Sequence, residues 1–551
     1  MKAPNFMQKP AHLFKVILIL VGLASLPAPF ARTEEVVEIK KNETGLYRDI
    51  FDQNTYYEAT NYLHLDRLYR DLFHKKVRSG NVNVFDEVPD SNFFTNRHGR
   101  HPLSLVELEK GYHETDGPDL SGDLVVIRGK FEGLHPGFFV KDARGEEYLV
   151  KFDPVDFLEL ATSAEVVASR FYYAIGYHVP QYTIALINPD QFKPGDNAMV
   201  YDDTGFKKEL TQDRLTEYLL FIPQDTQGRY RASASKILAG VNKGNFSFQG
   251  RRKNDPEDLV AHEKRRELRA LQVFSSWLSN YDIRESNTLD MLVEKNGRQV
   301  LRHYLIDFNT ALGSGTSEGK PPMTTHEYMF DYGETTKAFL AFGFWEKTWQ
   351  KRWREAGEKS SDSPAVGYFD NRYFDPGKFK TQLPHYVFKD LTRADGFWAA
   401  KIVMSFTDED IRTMVKAGEY TRQEDADTIA KILIERRDLI GKYWFAQANP
   451  LDGFEISGNQ LTFKDLAVDH GFEQAGGTVY HVTALAANGK HGKKIGTAEF
   501  ENPSIDLTAW TSSAKNLNLM IRTSRAGSTH SGPFVLVEIE DQNITGITHQ
   551  D

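Results

Sequence analysis

The chain has 551 residues, of which 40% are hydrophobic and 12% aromatic, and it carries a formal net charge of −10. That length and apolar content predict several domains with sizeable cores and exclude a disordered chain. The acidic balance gives no electrostatic reason for a nucleic-acid partner, and the absence of cysteine excludes disulfides, thiolate metal sites and a cysteine nucleophile.

The N-terminus reads as an export signal. Lys2, Lys9 and Lys15 precede the apolar run "VILILVGLASL" (16–26), and "PAPFA" (27–31) follows. A membrane span needs about 20 apolar residues, so residues 1–31 are expected to be a cleaved signal peptide, with an uncleaved anchor as the alternative. No later stretch in the sequence is long enough to span. The mature chain is therefore expected outside the cytoplasm, periplasmic or extracellular. Residues 32–120 read as an N-terminal extension. Tyr62, Leu65, Leu68, Tyr69 and Phe73 recur at three and four, predicting an amphipathic helix over 56–76, and the turn-rich 86–104 should wrap over a neighbouring surface.

Residues 121–245 are β-rich. "LVVIRGKFEGLHPGFFVKDARGEEYLVKFD" (124–153) predicts three strands broken by glycine turns, the last hairpin closing at "DARGEE". A helix is expected over 162–180, capped by Thr162 or Ser163 and stopped at Gly176, then a strand over 181–187. Residues 188–228 read as a charged insertion and 230–240 as a further strand. Residues 246–450 are mainly helical. A long helix is expected from about Glu257, with Leu268, Leu271, Phe274 and Leu278 on one face, then a loop and a hairpin turning at "EKNGRQ". Helices follow at 406–418, with Thr407 as N-cap, and at 424–444. Residues 455–551 alternate in short runs and predict a small antiparallel β-module.

Several residues carry candidate chemistry. Lys151 ends the strand "YLVK", whose alternation turns its side chain beneath the glycine hairpin. Glu165 is expected in the first turn of the next helix, where it can pair with Lys151. Asp282 and Asn287 stand in the spacing D-x-x-x-x-N between the long helix and the hairpin. That spacing occurs about once by chance in such a chain, so its position gives it weight. Asp307 ends a buried strand in "YLIDFN", where an unpaired carboxylate would be costly; it reads as a loop N-cap or as a metal ligand. His303 reads as a structural histidine and "HEKRREL" (262–268) as a solvated or ion-paired helix face. The segment around His326 and Glu327 lacks the second histidine of a zinc helix, and no G-x-S-x-G supports a serine hydrolase.

In order, these parts are a glycine hairpin, a strand with Lys151, a helix with Glu165, a loop with Asp282 and Asn287, and Asp307. Residues 124–309 thereby resemble an atypical protein-kinase-like fold, of the HipA, CotH and secretory-pathway kinase groups, and the run through "RHYLIDFNTALGSG" is similar to exported bacterial proteins of unassigned function. The resemblance implies an α+β, two-lobed kinase-like fold with an N-terminal helical extension and the C-terminal β-module. It implies an ATP phosphotransferase using Mg²⁺ or Mn²⁺ and acting on a protein or small-molecule hydroxyl. Residue by residue, it makes Lys151 and Glu165 the phosphate-binding pair, Gly129, Gly133 and Gly137 the nucleotide-covering glycines, Asp282 the base, and Asn287 and Asp307 metal ligands. Two departures are plain: Asn280-Tyr281 replaces His-Arg before the base, and the glycines are spaced by fours. Asn309 stands where kinases have glycine, and asparagine tolerates left-handed geometry there. A non-catalytic kinase-like scaffold and an AMP transferase are the alternative readings.

Overall fold

The computed structural model describes residues 39–73, 76–130, 136–201, 206–321, 323–347, 349–351, 354, 363–486, 492–526 and 532–551. The expected signal peptide (1–31) and Gly133 lie outside these residues. Among the described residues, no helix is long and apolar enough to cross a membrane.

Three short helices, α1 (Leu46–Phe51), α2 (Tyr57–Leu63) and α3 (Leu65–Leu72), with a π-turn over Asp52–Tyr56, open the chain. The expected helix over 56–76 is present but broken at His64. Its apolar face is not buried: Leu65, Leu68, Tyr69 and Phe73 are exposed. The segment 86–104 does wrap inward, burying Val88, Phe93 and Phe94, and α4 (Leu105–Lys110) follows with Ser104 and Glu107 forming a capping box.

Strands β1 (Leu124–Gly129), β2 (Gly137–Lys141) and β3 (Glu147–Phe152) form the expected meander. Then come helix α5 (Leu160–Ile175), strands β4 (Tyr182–Ile187), β5 (Phe192–Tyr201) and β6 (Lys207–Glu209), helix α6 (Gln212–Leu219) and strand β7 (Tyr230–Lys236). The sheet order is β4-β7-β3-β2-β1-β5-β6. Residues 188–228 are therefore no insertion: β5 lies parallel to β1 and extends the sheet. The cap of α5 also differs from expectation. Thr162 and Ser163 lie inside the helix, and the Asp153 carboxylate accepts from the backbone of Glu159, Ala161 and Thr162 instead. Such a carboxylate satisfies amides that have no intrahelical partner.

The helical lobe begins with β8 (Val241–Asn242). Helix α7 (Arg266–Trp277) starts later than the expected Glu257, because Asp258 holds the preceding loop through Arg252, His262 and Arg265. Strands β9 (Thr288–Lys295) and β10 (Arg298–Leu305) form the expected hairpin, with Asn296 and Gly297 both at positive φ in its two-residue turn. Helices α8 (Tyr332–Leu340), α9 (Tyr386–Lys389), α10 (Arg393–Met404), α11 (Asp408–Lys416) and α12 (Gln423–Gln447) follow. Residues 363–385 are largely turns rather than helix. The basic run 262–268 is ion-paired and, apart from the exposed Lys264 and half-buried Glu263, buried. Arg266 is fully buried between Asp86 and Asp395, and Arg269 shares Asp395.

The β-module has two sheets. Strands β11 (Leu451–Ser457), β12 (Gln460–Asp465) and β15 (Ser504–Asp506) form one; β13 (Val479–Ala486), β14 (Lys493–Phe500), β16 (Asn516–Ser524), β17 (Phe534–Glu540) and β18 (Asn543–His549) form the other. Alternate residues such as Val482, Leu519 and Val537 fill its core. The module starts a few residues before the expected 455 and is fastened to the rest of the chain. The Ile547 amide donates to Val84, His549 meets Asp86, and Lys401 bonds Asp452.

Candidate active site

Strand β3 delivers Lys151 between two neighbours, opposite Gly137 on β2 and Ser233 on β7. A Cβ at Gly137 would stand 2.6 Å from the Val150 carbonyl, and one at Gly129 would stand 2.9 Å from a Val200 methyl. These two glycines are demanded by close strand packing; contact with phosphates is a separate matter.

The Lys151 ammonium donates to Glu165 Oε1 and, at 2.9 Å, to Asp307 Oδ1. Glu165 lies on the second turn of α5, one turn further in than expected, and is fully buried. Its other oxygen accepts from the Ser233 hydroxyl. Burial alone would lower the Lys151 pKa, but the carboxylates of Asp307 and Glu165 outweigh it and hold the group above the usual lysine range.

Asp307 sits at φ +64, and its backbone amide donates to the Tyr182 hydroxyl at 3.2 Å. The left-handed residue is thus Asp307, not Asn309 as expected. A non-glycine residue in this region is uncommon, although aspartate accepts it better than most. The next residue, Phe308, is fully buried, stacked on Tyr172 of α5 and edge-on to Tyr182. One side chain therefore packs the Asp307 turn against the helix that carries Glu165.

The loop from Ser279 to Asn287 brings up Asp282. Asn287 Nδ2 donates to the Asp282 main-chain oxygen (2.8 Å) and to Asp282 Oδ2 (3.2 Å). The Ile306 amide donates to the Asn287 carbonyl at 3.1 Å, which seats Asp307 beside this loop. Arg284 makes a 2.5 Å ion-pair contact with Asp282 Oδ1 and donates to Gln382. Burial raises the Asp282 carboxyl to about 6 against the pull of Arg284, with Asp307 adding to the rise.

A second acidic pair backs the loop. Asp49 of α1 accepts from the Ser286 amide at 2.7 Å, and Glu285 accepts from Ser247 and the Phe248 amide. Burial, then the Asp49 carboxylate, push Glu285 up to about 7. The N-terminal extension thus braces the loop that carries Asn287.

Lys151, Glu165, Asp282, Asn287 and Asp307 converge. Gly129 and Gly137 flank the hairpin above Lys151, and Gly133 is outside the described residues. His303 is buried against Asp290 and stacked on Phe93, as a structural histidine. Ser233, Tyr182 and Arg284 were not anticipated. Arg284 could have been singled out as a cation two residues after the proposed base; Ser233 carries no local signal.

The donor set fits a hard divalent cation. With its amide nitrogen turned to Asp282, Asn287 has its side-chain oxygen left for a metal, and a quarter of the Asp307 side chain meets solvent. Among the described residues no group of three or more His, Cys, Asp or Glu could hold a metal. One carboxylate and one amide oxygen suit Mg²⁺ or Mn²⁺ that completes its shell with phosphate and water.

The sheet lobe, the helical lobe and this site between them make a two-lobed, kinase-like α+β fold. No family model and no curated protein matches the chain. Among solved structures, the chain is similar to a Helicobacter pylori proinflammatory kinase, CtkA, at 11% identity and a TM-score of 0.31, covering 60% of this chain and 99% of that one. It is similar to a Golgi casein kinase at 9% identity and a TM-score of 0.28, covering 77% and 94%. The same enzyme with Mn/ADP bound gives 10% and 0.27, covering 73% and 93%. The chain's own order of elements and its converging residues make the fold kinase-like.

Proposed function

We propose that the protein is a metal-dependent ATP phosphotransferase acting on a protein or small-molecule hydroxyl. The observation that carries this is the Lys151 ammonium bridging Glu165 and Asp307, with Asp282 and Asn287 on the adjoining loop. Bound Mg²⁺- or Mn²⁺-ATP would supply the phosphoryl group. Lys151, held by Glu165, offers a fixed positive charge to phosphate oxygens; Asp307 and Asn287 offer oxygens to the metal. Asp282 accepts the acceptor hydroxyl's proton, and its raised pKa keeps it close to the range where a base works well. The lysine-flanked apolar run at 16–26 supports a setting outside the cytoplasm.

Thermal melting with ATP and Mg²⁺ or Mn²⁺, followed by incubation with ATP labelled separately at the α and γ positions, tests the reading. At one hundred times the dissociation constant, binding stabilises the fold by about 2.7 kcal/mol. Asp307→Ala should abolish that metal-dependent shift. Wild-type protein with no shift under any nucleotide and metal pairing refutes nucleotide use. α-label transfer instead of γ-label transfer replaces phosphoryl by AMP transfer.

A further inference from the structure

Beside the proposed active site, a cavity of about 510 Å³ opens between the end of α7, the segment around α8 and the turns of 368–380. Its walls include Tyr328, Trp349, Tyr368 and Phe374. Four of its lysines are each matched to a carboxylate: Lys337 to Glu334, Lys347 to Glu327, Lys378 to Asp375 and Lys380 to Asp331.

Two other cations of the lining are not. Lys320 is 4% exposed and donates to the main-chain oxygen and hydroxyl of Ser279, with its Nζ 4.7 Å above the Tyr281 ring. Arg436, 5% exposed, donates to Asn371 Oδ1, the Ser276 carbonyl and the Asp370 carbonyl, between the rings of Phe369 and Phe374. Among the described residues neither has a carboxylate within ion-pair distance. The two sense each other: burial, then the Arg436 charge, push Lys320 well below the usual lysine range, with Asp282 pulling the other way, and Asp370 of the cavity wall acts on Arg436 in the same sense. Two buried cationic groups with no carboxylate in contact are costly to keep charged, and an anion between them lowers that cost.

We propose that this cavity binds a small phosphate monoester, its dianion seated between Lys320 and Arg436 and its body against Tyr368 and Phe374. A bound anion favours the protonated form of Lys320, and the two cations then match a dianion, where a monocarboxylate would leave one unmatched. The guanidinium fork and the compact ammonium are both suited to phosphate oxygens, and flat aromatic walls suit a ring. This is a binding claim about a site distinct from Lys151 and Asp307, and it holds whether or not the chain transfers phosphoryl groups.

The test uses the full chain and three probes: inorganic phosphate, phenyl phosphate and phenol, in calorimetric titration and melting at matched ionic strength. Phosphate should raise the melting temperature, phenyl phosphate should bind more tightly, and phenol should do neither. Lys320→Met should weaken phosphate at least tenfold and, by deleting an unmatched buried cation, melt no lower than wild type without ligand. Asp307→Ala should keep the phosphate response while losing that to metal and ATP, which separates this site from the nucleotide reading. In wild-type protein, phosphate should also protect Lys320 from acetic anhydride, read by peptide mass spectrometry, so the result does not hang on one variant's folding. Equal phosphate affinity in Lys320→Met and wild type, loss of the response in Asp307→Ala, or unprotected Lys320 would each overturn the proposal.

Discussion

Replacing Lys151 with methionine isolates the charge balance at the centre of the site. Glu165 is fully buried, and among the described residues its carboxylate is met only by Lys151 and the Ser233 hydroxyl. Without the ammonium, a buried carboxylate is left facing one neutral donor. Breaking a buried pair from one side costs about 3–5 kcal/mol, while Asp307, partly in solvent, adds little. At about 2–4 °C per kcal/mol for a lobe of this size, melting should fall by roughly 6–20 °C. Glu165→Gln added to Lys151→Met removes the orphaned charge and should recover most of the loss, which separates charge from packing. Calorimetry of wild type, both single variants and the double variant at neutral pH reads this directly. A Lys151→Met variant melting within about 2 °C of wild type at neutral pH (under ~1 kcal/mol), or a double variant no better than the single, would refute the reasoning.

Two further outcomes follow from the carboxyl groups of the loop. Asp282 has a folded pKa of about 6, above its unfolded value, so its contribution to stability is full below about pH 4 and lost as pH rises through 6; Asp282→Asn should therefore melt higher at pH 7, by up to about 3 kcal/mol. The same variant should keep nucleotide binding but lose transfer, whose wild-type rate should rise with pH through about 6. Glu285, at about 7 beside Asp49, favours the fold while protonated, so amide protection over 283–288, corrected for the base-catalysed intrinsic exchange rate, should fall as pH rises from about 4 through 7. Asp49→Asn deletes the like charge yet keeps an acceptor for the Ser286 amide, and should flatten that dependence; protection factors unchanged by pH in wild type would sink this account.

Local patterns in the sequence were enough to find the elements and the order of the chemistry. Strand alternation located β1 to β3, Thr407 with acids behind it located the start of α11, and Asn296-Gly297 located the hairpin turn, because each signal acts within a few residues. The same locality put Lys151, Glu165, Asp282, Asn287 and Asp307 in a meaningful order. Tertiary structure decided what depends on distant partners. The basic run around Arg266 could be buried only because Asp86 and Asp395 arrive from 180 and 129 residues away. Residues 192–201 became a strand because β1 offered a parallel edge, a pairing with no local mark. The cap of α5 came from Asp153, across a turn, and the left-handed residue proved to be Asp307, whose amide finds Tyr182 125 residues earlier in the chain. Short-range periodicity sets which segments can form, but a charge can be buried, or a backbone held in a rare conformation, only where the fold brings a partner to meet it.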